Sequence, residues 1–247
     1  MPYSRIRGII FDLGSTLIEY DNRPWPETIL EGQKRAYESL RAETDKVPDF
    51  ETFNSRLEEI KEQFRMRAQE TLAEWRASQA PETLFRELGL DNPKRRGEKF
   101  IDIFYTAVRE QLSVEEGAAD VLKTLKERGY PMGMISNTIY PRRHHESDLR
   151  QFSLMEYLNF RIYSSELGRR KPHPDIFRAG LDLMRMAPSE ILYIGDRIPE
   201  DVEGARAAGM VAILKLWPKR EYPNPLPDGI TAIRQLTELP DLLENNS

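Results

Sequence analysis

The feature that most constrains this chain is a set of short apolar runs, each ending in polar residues and spaced by helical stretches. Residues 7–13 (RGIIFDL) are the first. The run is too short for a helix and rich in Ile and Phe, which predicts a buried strand. Residues 132–137 (MGMISN), 160–164 (FRIYS) and 191–196 (ILYIGD) repeat the pattern, and 210–216 (MVAILKL) follows close behind. Helical segments at 116–128, 174–186 and 200–208 lie among them. Short apolar strands alternating with helices predict an α/β fold, a doubly wound, Rossmann-like parallel sheet covered on both faces. From Gly229 the tail reads as a short edge strand and a final helix, with residues 244–247 expected to fray.

Residues 27–112 break this rhythm. They are rich in Glu, Arg, Gln and Lys, and Ile60, Phe64, Leu72 and Trp75 recur at roughly helical spacing. Pro81 and the Asp91-Asn92-Pro93 turn punctuate the stretch, which reads as about four helices with essentially no strand. The expected organisation is an α/β core of residues 1–19 and 113–247 interrupted by a helical insertion, 20–112. Trp25, between Pro24 and Pro26, marks the entry into the insertion as a packed hinge residue.

Bulk composition narrows the function classes. Hydrophobic residues at 39% and charged residues at 31% fit a folded globular chain with a charged surface. A net charge of −5 gives no general attraction to nucleic acid or to anionic membrane. The absence of cysteine excludes disulfides, thiolate nucleophiles and thiolate metal sites. The first ten residues have neither a leader's apolar core nor a span's length, and no other run is long enough to cross a bilayer. The expected location is the cytoplasm; the pattern is silent on oligomeric state.

In an open parallel sheet, ligands bind beyond the carboxyl ends of the strands. Those ends carry Asp12, Ser136 with Asn137, Lys171 after the third strand, and Asp196 with Asp201. If the strands are neighbours, three carboxylates, a lysine and a hydroxyl converge, a natural site for Mg²⁺ and a phosphoryl group. Each residue also has an ordinary reading. Asp12 and Asp196 suit strand-end turns, Asp201 suits a cap of a helix starting near Val202, Lys171 suits a solvated loop, and Ser136 suits a local backbone bond.

FDLGSTL, MISN, RRKPHPDIF and YIGDRIPEDVEGARAAGM, in that order, resemble the motifs of the haloacid dehalogenase superfamily of hydrolases. The insertion after the first motif resembles that family's helical cap, which would close over the strand ends, exclude water and select the substrate. The resemblance implies a Mg²⁺-dependent phosphatase acting on a small phosphorylated molecule. Asp12 would attack phosphorus and form an aspartyl-phosphate. Asp12, the Gly14 carbonyl, Asp196 and Asp201 would hold Mg²⁺, Asp201 directly or through water. Ser136 and Lys171 would stabilise the phosphoryl oxygens, with Asn137 contributing a backbone N–H.

One position departs from the family pattern. The second aspartate of the usual phosphatase motif, which acts as acid and then base, is Gly14 here, and the following glycine is Ser15. Positioned acid–base catalysis is worth ~10²–10⁴ in rate, so leaving groups that depart easily as anions should suffer least. Glu19, Tyr20 or an acid of the cap are the candidates to replace it. Two rivals follow: metal-free carbon–halogen hydrolysis at the same Asp12 and Lys171, and a non-catalytic phosphate- or partner-binding protein. Arg142, Arg143, His144 and His145 read as a solvated loop or helix start rather than a substrate site, and Arg65, Arg67 and Arg76 as a polar helix face.

Overall fold

A computed structural model of the chain describes residues 3–20 and 22–244; of the tail expected to fray, residues 245–247 lie outside them. The strands in chain order are β1 (Gly8–Phe11), β2 (Ile18–Glu19), β3 (Ser113–Val114), β4 (Met132–Ser136), β5 (Phe160–Tyr163), β6 (Ile191–Gly195), β7 (Val211–Lys215) and β8 (Thr231–Ile233). The helices are α1 (Trp25–Arg41), α2 (Phe50–Thr71), α3 (Gln79–Glu87), α4 (Pro93–Arg109), α5 (Ala118–Glu127), α6 (Arg142–Gln151), α7 (Ser164–Leu167), α8 (Pro174–Met184), α9 (Gly204–Ala207) and α10 (Leu239–Glu244).

These elements form two compact units: Met1–Glu19, Ser113–Thr138 and Glu146–Ser247 in one, Tyr20–Leu112 and Ile139–His145 in the other. The first is the α/β unit. Its sheet runs β5-β4-β1-β6-β7-β8, every neighbouring pair parallel, and β2 and β3 form a separate antiparallel pair. β1, β4 and β6 are fully buried, as their unbroken apolar runs require when both faces of a sheet are covered. One core cluster joins Ile10, Ile135 and Tyr193 of the sheet to Ile176 and Phe177 of α8 and Val202 and Ala205 beyond β6.

The second unit is helical. Pro26 lies in the first turn of α1, where a missing N–H costs nothing, and the Asp49 carboxylate caps α2 by accepting from the Thr52 N–H at 3.0 Å. Phe53, Phe85 and Phe100 pack ring to ring at 5.9–6.3 Å and anchor α2, α3 and α4 on one apolar centre. Trp25 opens α1 and packs against the same core. Arg65, Arg67 and Arg76 are exposed.

Two local expectations are corrected. Residues 139–145, which the sequence leaves in the α/β core, cluster with the helices. His144 and His145 begin α6 but are not solvated: both are buried, and His144 stacks on Tyr105 at 4.3 Å. Burial pushes their imidazoles down, to about 4 for His144 and about 3 for His145. Charged flanking arginines mask an aromatic-facing pair that sequence polarity reads as surface. No helix of the described residues is long and apolar enough to cross a membrane.

Candidate active site

The site is built at the carboxyl ends of β1, β4 and β6. β1 lies between the other two, and Phe11 pairs with Met134 on one side and Ile194 on the other. Asp12 is the next residue, its N–H donating to the Ile194 carbonyl at 2.8 Å. Ser136 and Asp196 therefore end their strands within one residue of Asp12's level. The chain then folds back tightly. The amides of Leu17 and Ile18 both donate to the Leu13 carbonyl, at 2.8 and 3.0 Å, and Ser15 takes a left-handed φ of 59°. That conformation is the reason glycine is usual at this position.

Lys171 organises the centre. Its ammonium, 2% exposed, donates to Asp12 Oδ1 at 2.6 Å, to Asp201 Oδ1 at 2.5 Å and to the Tyr193 hydroxyl at 3.0 Å. It is not a solvated loop lysine. Asn137 holds its main chain: the side-chain amide accepts from the Lys171 N–H at 2.7 Å and donates to the Lys171 carbonyl at 3.0 Å. The Asn137 side chain is thus occupied in positioning Lys171, which leaves only its own N–H for a substrate. Tyr193, edge-on to Phe177 at 5.5 Å, connects the ammonium to the core below.

Asp201 sits in a π-helical turn, Ile198–Glu203, rather than at a helix N-cap. Its Oδ2 accepts from the Arg197 N–H at 2.9 Å. Gly195 makes room for it, because a Cβ there would lie 2.3 Å from Asp201 Cγ. Asp196 is bound from a loop beyond β7: Arg220 Nη2 donates to Oδ2 at 2.6 Å, and the Tyr222 hydroxyl donates to the Asp196 carbonyl at 2.8 Å.

Asp12, Asp196 and Asp201 each present a carboxylate oxygen within 4.8 Å of the others, all three buried. Oxygens on opposite sides of one Mg²⁺ stand ~4 Å apart, so a buried set of three hard donors fits that ion with small adjustment. Burial is the largest influence on Asp12. Together with Asp201 and Asp196 it outweighs Lys171 and pushes the carboxyl up to about 7. Asp196 is raised by burial and by Asp201, against the pull of Arg220 and Arg197. Burial would lower the Lys171 ammonium, but Asp12 and Asp201 hold it well above its ordinary value. The three carboxylates thus outnumber the two cations that touch them, Lys171 and Arg220.

Gly14 carries no side chain to move a proton. The Thr16 hydroxyl, fully buried, donates to Asp12 Oδ2 at 3.4 Å. Of the replacements expected, Glu19 accepts from the Trp217 indole at 2.5 Å, and Tyr20 approaches His145 Nδ1 at 3.2 Å in the helical unit. Sequence reasoning did not single out Thr16, Tyr193, Lys215 or Arg220. Thr16 carried a signal, the fixed offset of four from Asp12; the other three carried none, since their partners are remote in sequence. Lys215 ends β7 fully buried, donating to the Ser15 carbonyl at 3.0 Å and pairing with Glu115 at 2.7 Å, and so ties the turn after β1 to the sheet.

Known proteins agree with this architecture. A family model for haloacid dehalogenase-like hydrolases matches residues 6–209. A glyceraldehyde 3-phosphate phosphatase of Pyrococcus furiosus is 30% identical over 97% of this chain and 92% of its own. A phosphoglycolate phosphatase of Escherichia coli is 24% identical over 85% of this chain and 81% of its own. Among solved structures, a 2-haloacid dehalogenase from Pseudomonas syringae pv. Tomato superposes with a TM-score of 0.72 at 23% identity, covering 98% of this chain and 100% of its own. A phosphatase from Thermococcus onnurineus gives 0.63 at 20% identity, covering 96% and 98%. With a matched model spanning all four motifs and the six-stranded parallel sheet beneath them, the chain belongs to the haloacid dehalogenase-like hydrolase family.

Proposed function

We propose that this protein is a Mg²⁺-dependent phosphatase that hydrolyses a small phosphorylated metabolite through Asp12. The observation that carries the reading is the Asp12–Lys171–Asp201 bridge beside Asp196. It gives one buried nucleophilic carboxylate, one fixed cation and three oxygen donors in reach of a single ion. The phosphatase relatives support the substrate class.

On this reading a carboxylate oxygen of Asp12 attacks phosphorus, the bond from phosphorus to the leaving oxygen breaks, and that oxygen departs with the bonding pair. Lys171 stays against Asp12 and neutralises charge on the phosphoryl oxygens, and Ser136 with the Asn137 N–H donates to them. Water then attacks phosphorus, the bond to Asp12 breaks, and inorganic phosphate leaves with the carboxylate restored. Asp12, Asp196, Asp201 and the Gly14 carbonyl would hold Mg²⁺, which supplies Lewis-acid stabilisation of the phosphoryl charge when bound. Departing and attacking oxygens exchange protons with solvent, since Gly14 cannot serve. The helical unit is assigned as the cap that selects substrate.

The test is a screen of phosphorylated metabolites with Mg²⁺, with Asp12→Asn as control. Turnover should need both Asp12 and the metal, and single-turnover samples should contain an acid-stable, base-labile phosphoenzyme. Halide release from a 2-haloacid that persists in chelator would instead establish the carbon–halogen reading, which needs no metal. Failure to form the phosphoenzyme from any acyl phosphate would leave a binding protein.

A further inference from the structure

The acidic centre is already gripped by a cation the family motifs do not contain. Arg220 lies in the loop after β7 and places Nη2 2.6 Å from Asp196 Oδ2, a candidate metal ligand. Its guanidinium packs over the Trp217 ring at 5.3 Å. The hold on Asp196 is a single bond. Elsewhere in this chain arginines reach carboxylates with two, as Arg35 does on Glu110 at 2.6 and 2.9 Å, and the paired geometry is the stronger one. The Arg220 Nε–H, moreover, is buried without an acceptor. Arg220 is thus held next to Asp196 in less than its best arrangement.

The loop itself does not depend on that bond. The Trp217 indole donates to Glu19 at 2.5 Å, the Trp217 N–H donates to the Tyr222 hydroxyl at 3.0 Å, and that hydroxyl donates to the Asp196 carbonyl. The Arg220 side chain also meets the Tyr222 hydroxyl, but none of these three bonds runs through Arg220. Charge supplies the reason for Arg220 to leave. Three ionised carboxylates against Lys171 and Arg220 leave one negative charge. A divalent ion added to that set leaves one positive charge in a buried site, whereas a divalent ion that takes Arg220's place leaves the site neutral. Unbalanced charge is costly where water is excluded.

We propose that Arg220 is a resident counter-cation of Asp196, and that a divalent metal enters this site by exchanging with it. The inference rests on the magnesium reading above and adds to it a residue that sets metal affinity. Trp217, left without its guanidinium, reports the exchange.

The experiment is calorimetric titration of MgCl₂ into the metal-free, full-length protein at pH 8, for wild type, Arg220→Met and Arg220→Gln, with tryptophan fluorescence recorded in parallel. Losing one positive charge beside a divalent ion in partly hydrated protein should tighten binding by about tenfold or more in both variants. Wild-type emission should change on Mg²⁺ addition, and the change should vanish in Trp217→Phe and in both Arg220 variants. Equal or weaker Mg²⁺ affinity in the variants overturns the exchange. So does wild-type emission that ignores Mg²⁺ at saturation, a result that needs no variant to fold. If the variants instead lose affinity for inorganic phosphate with Mg²⁺ binding unchanged, Arg220 is an anion-binding residue and the proposal fails. Absence of Mg²⁺ binding in wild type and variants alike sinks the metal reading itself, and is distinct from binding that Arg220 does not affect.

Discussion

Replacing Lys171 with methionine removes a charge while keeping most of the side chain's length. The ammonium it deletes is buried and donates to two carboxylates, Asp12 at 2.6 Å and Asp201 at 2.5 Å. Breaking a buried pair by removing one partner costs about 3–5 kcal/mol; with two carboxylates losing their cation and keeping only neutral donors, the upper part of that range applies. The cost must also depend on pH. Burial already holds the Asp12 carboxyl up at about 7 with Lys171 present, and without the ammonium it rises further. A carboxyl whose folded pKa exceeds its unfolded value keeps a proton only in the folded state, so stability falls as pH rises between the two. In wild type held in chelator that decline runs from the ordinary carboxyl value of 3.8 to about 7; in the variant it continues above 7. Lys171's own raised pKa keeps its contribution intact below its ordinary 10.5. Urea denaturation in chelator at pH 5 and pH 9 measures both limits. The expected penalty is about 1–2 kcal/mol at pH 5, where the Asp12 carboxyl holds its proton, and about 4–5 kcal/mol at pH 9. Equal penalties at the two pH values would mean that Lys171 acts through packing alone, and would refute the charge argument.

Gly195→Ala should weaken Mg²⁺ binding by tenfold or more in calorimetry, because a Cβ 2.3 Å from Asp201 Cγ forces that carboxylate out of place; unchanged affinity would remove Asp201 from the ligand set. Ser15→Gly should raise the thermal midpoint, since releasing a left-handed serine (φ 59°) returns roughly 1–2 kcal/mol against roughly 0.5–1 lost to unfolded-state freedom; a lower midpoint would show that the side chain matters more than the backbone. Gly14→Asp should raise turnover of alkyl phosphates by up to ~10²–10⁴ and of acyl or aryl phosphates far less; no gain across several esters would mean that the missing acid is supplied elsewhere. Mg²⁺ binding near pH 7 should release protons, because the Asp12 carboxyl at about 7 must ionise to act as ligand; titrations in buffers of different ionisation enthalpy would show the release, and affinity should fall as pH drops from 8 to 6.

The parallel sheet was legible because burial on both faces leaves an unbroken apolar run, and β1, β4 and β6 are such runs with polar residues at their carboxyl ends. Asp12, Lys171, Asp196 and Asp201 were legible for the same reason, since each follows a strand end that topology brings together. What stayed hidden depends on contacts that local pattern does not encode. Arg220 and Trp217 lie in a charged, proline-rich loop that looks solvated, yet they reach Asp196 and Glu19 across 24 and 198 positions. Lys215 reads as the polar tip of a strand, but Glu115 and the Ser15 carbonyl let it be buried. The sequence around Asp201 predicts plain helix from residue 200; the π-helical turn begins at Ile198 and carries the carboxylate inward. His144 and His145 look solvated because they follow two arginines, yet both face the rings of Tyr105 and its neighbours.

Gly14 and the charge balance around Asp12 bear on the same step. On the proposed mechanism, the aspartyl-phosphate is hydrolysed when water is deprotonated or when the phosphoryl group is made electrophilic enough to accept neutral water. Gly14 removes the ordinary base, and the contacts of the Asp12 carboxylate, with Lys171 and Thr16, are with donors rather than a base. The burden then shifts to electrostatics: Lys171 fixed between two acids, and the ion those acids would hold. On the proposed mechanism such a site would favour a phosphate whose leaving group needs no proton, because its catalytic strength would lie in charge it holds fixed and not in a proton it can deliver. The same logic gives Lys215 its importance, for a site that relies on fixed charge depends on the rigidity of the turn after β1, and the buried Lys215 ammonium, paired with the half-buried Glu115, ties that turn to the sheet through the Ser15 carbonyl.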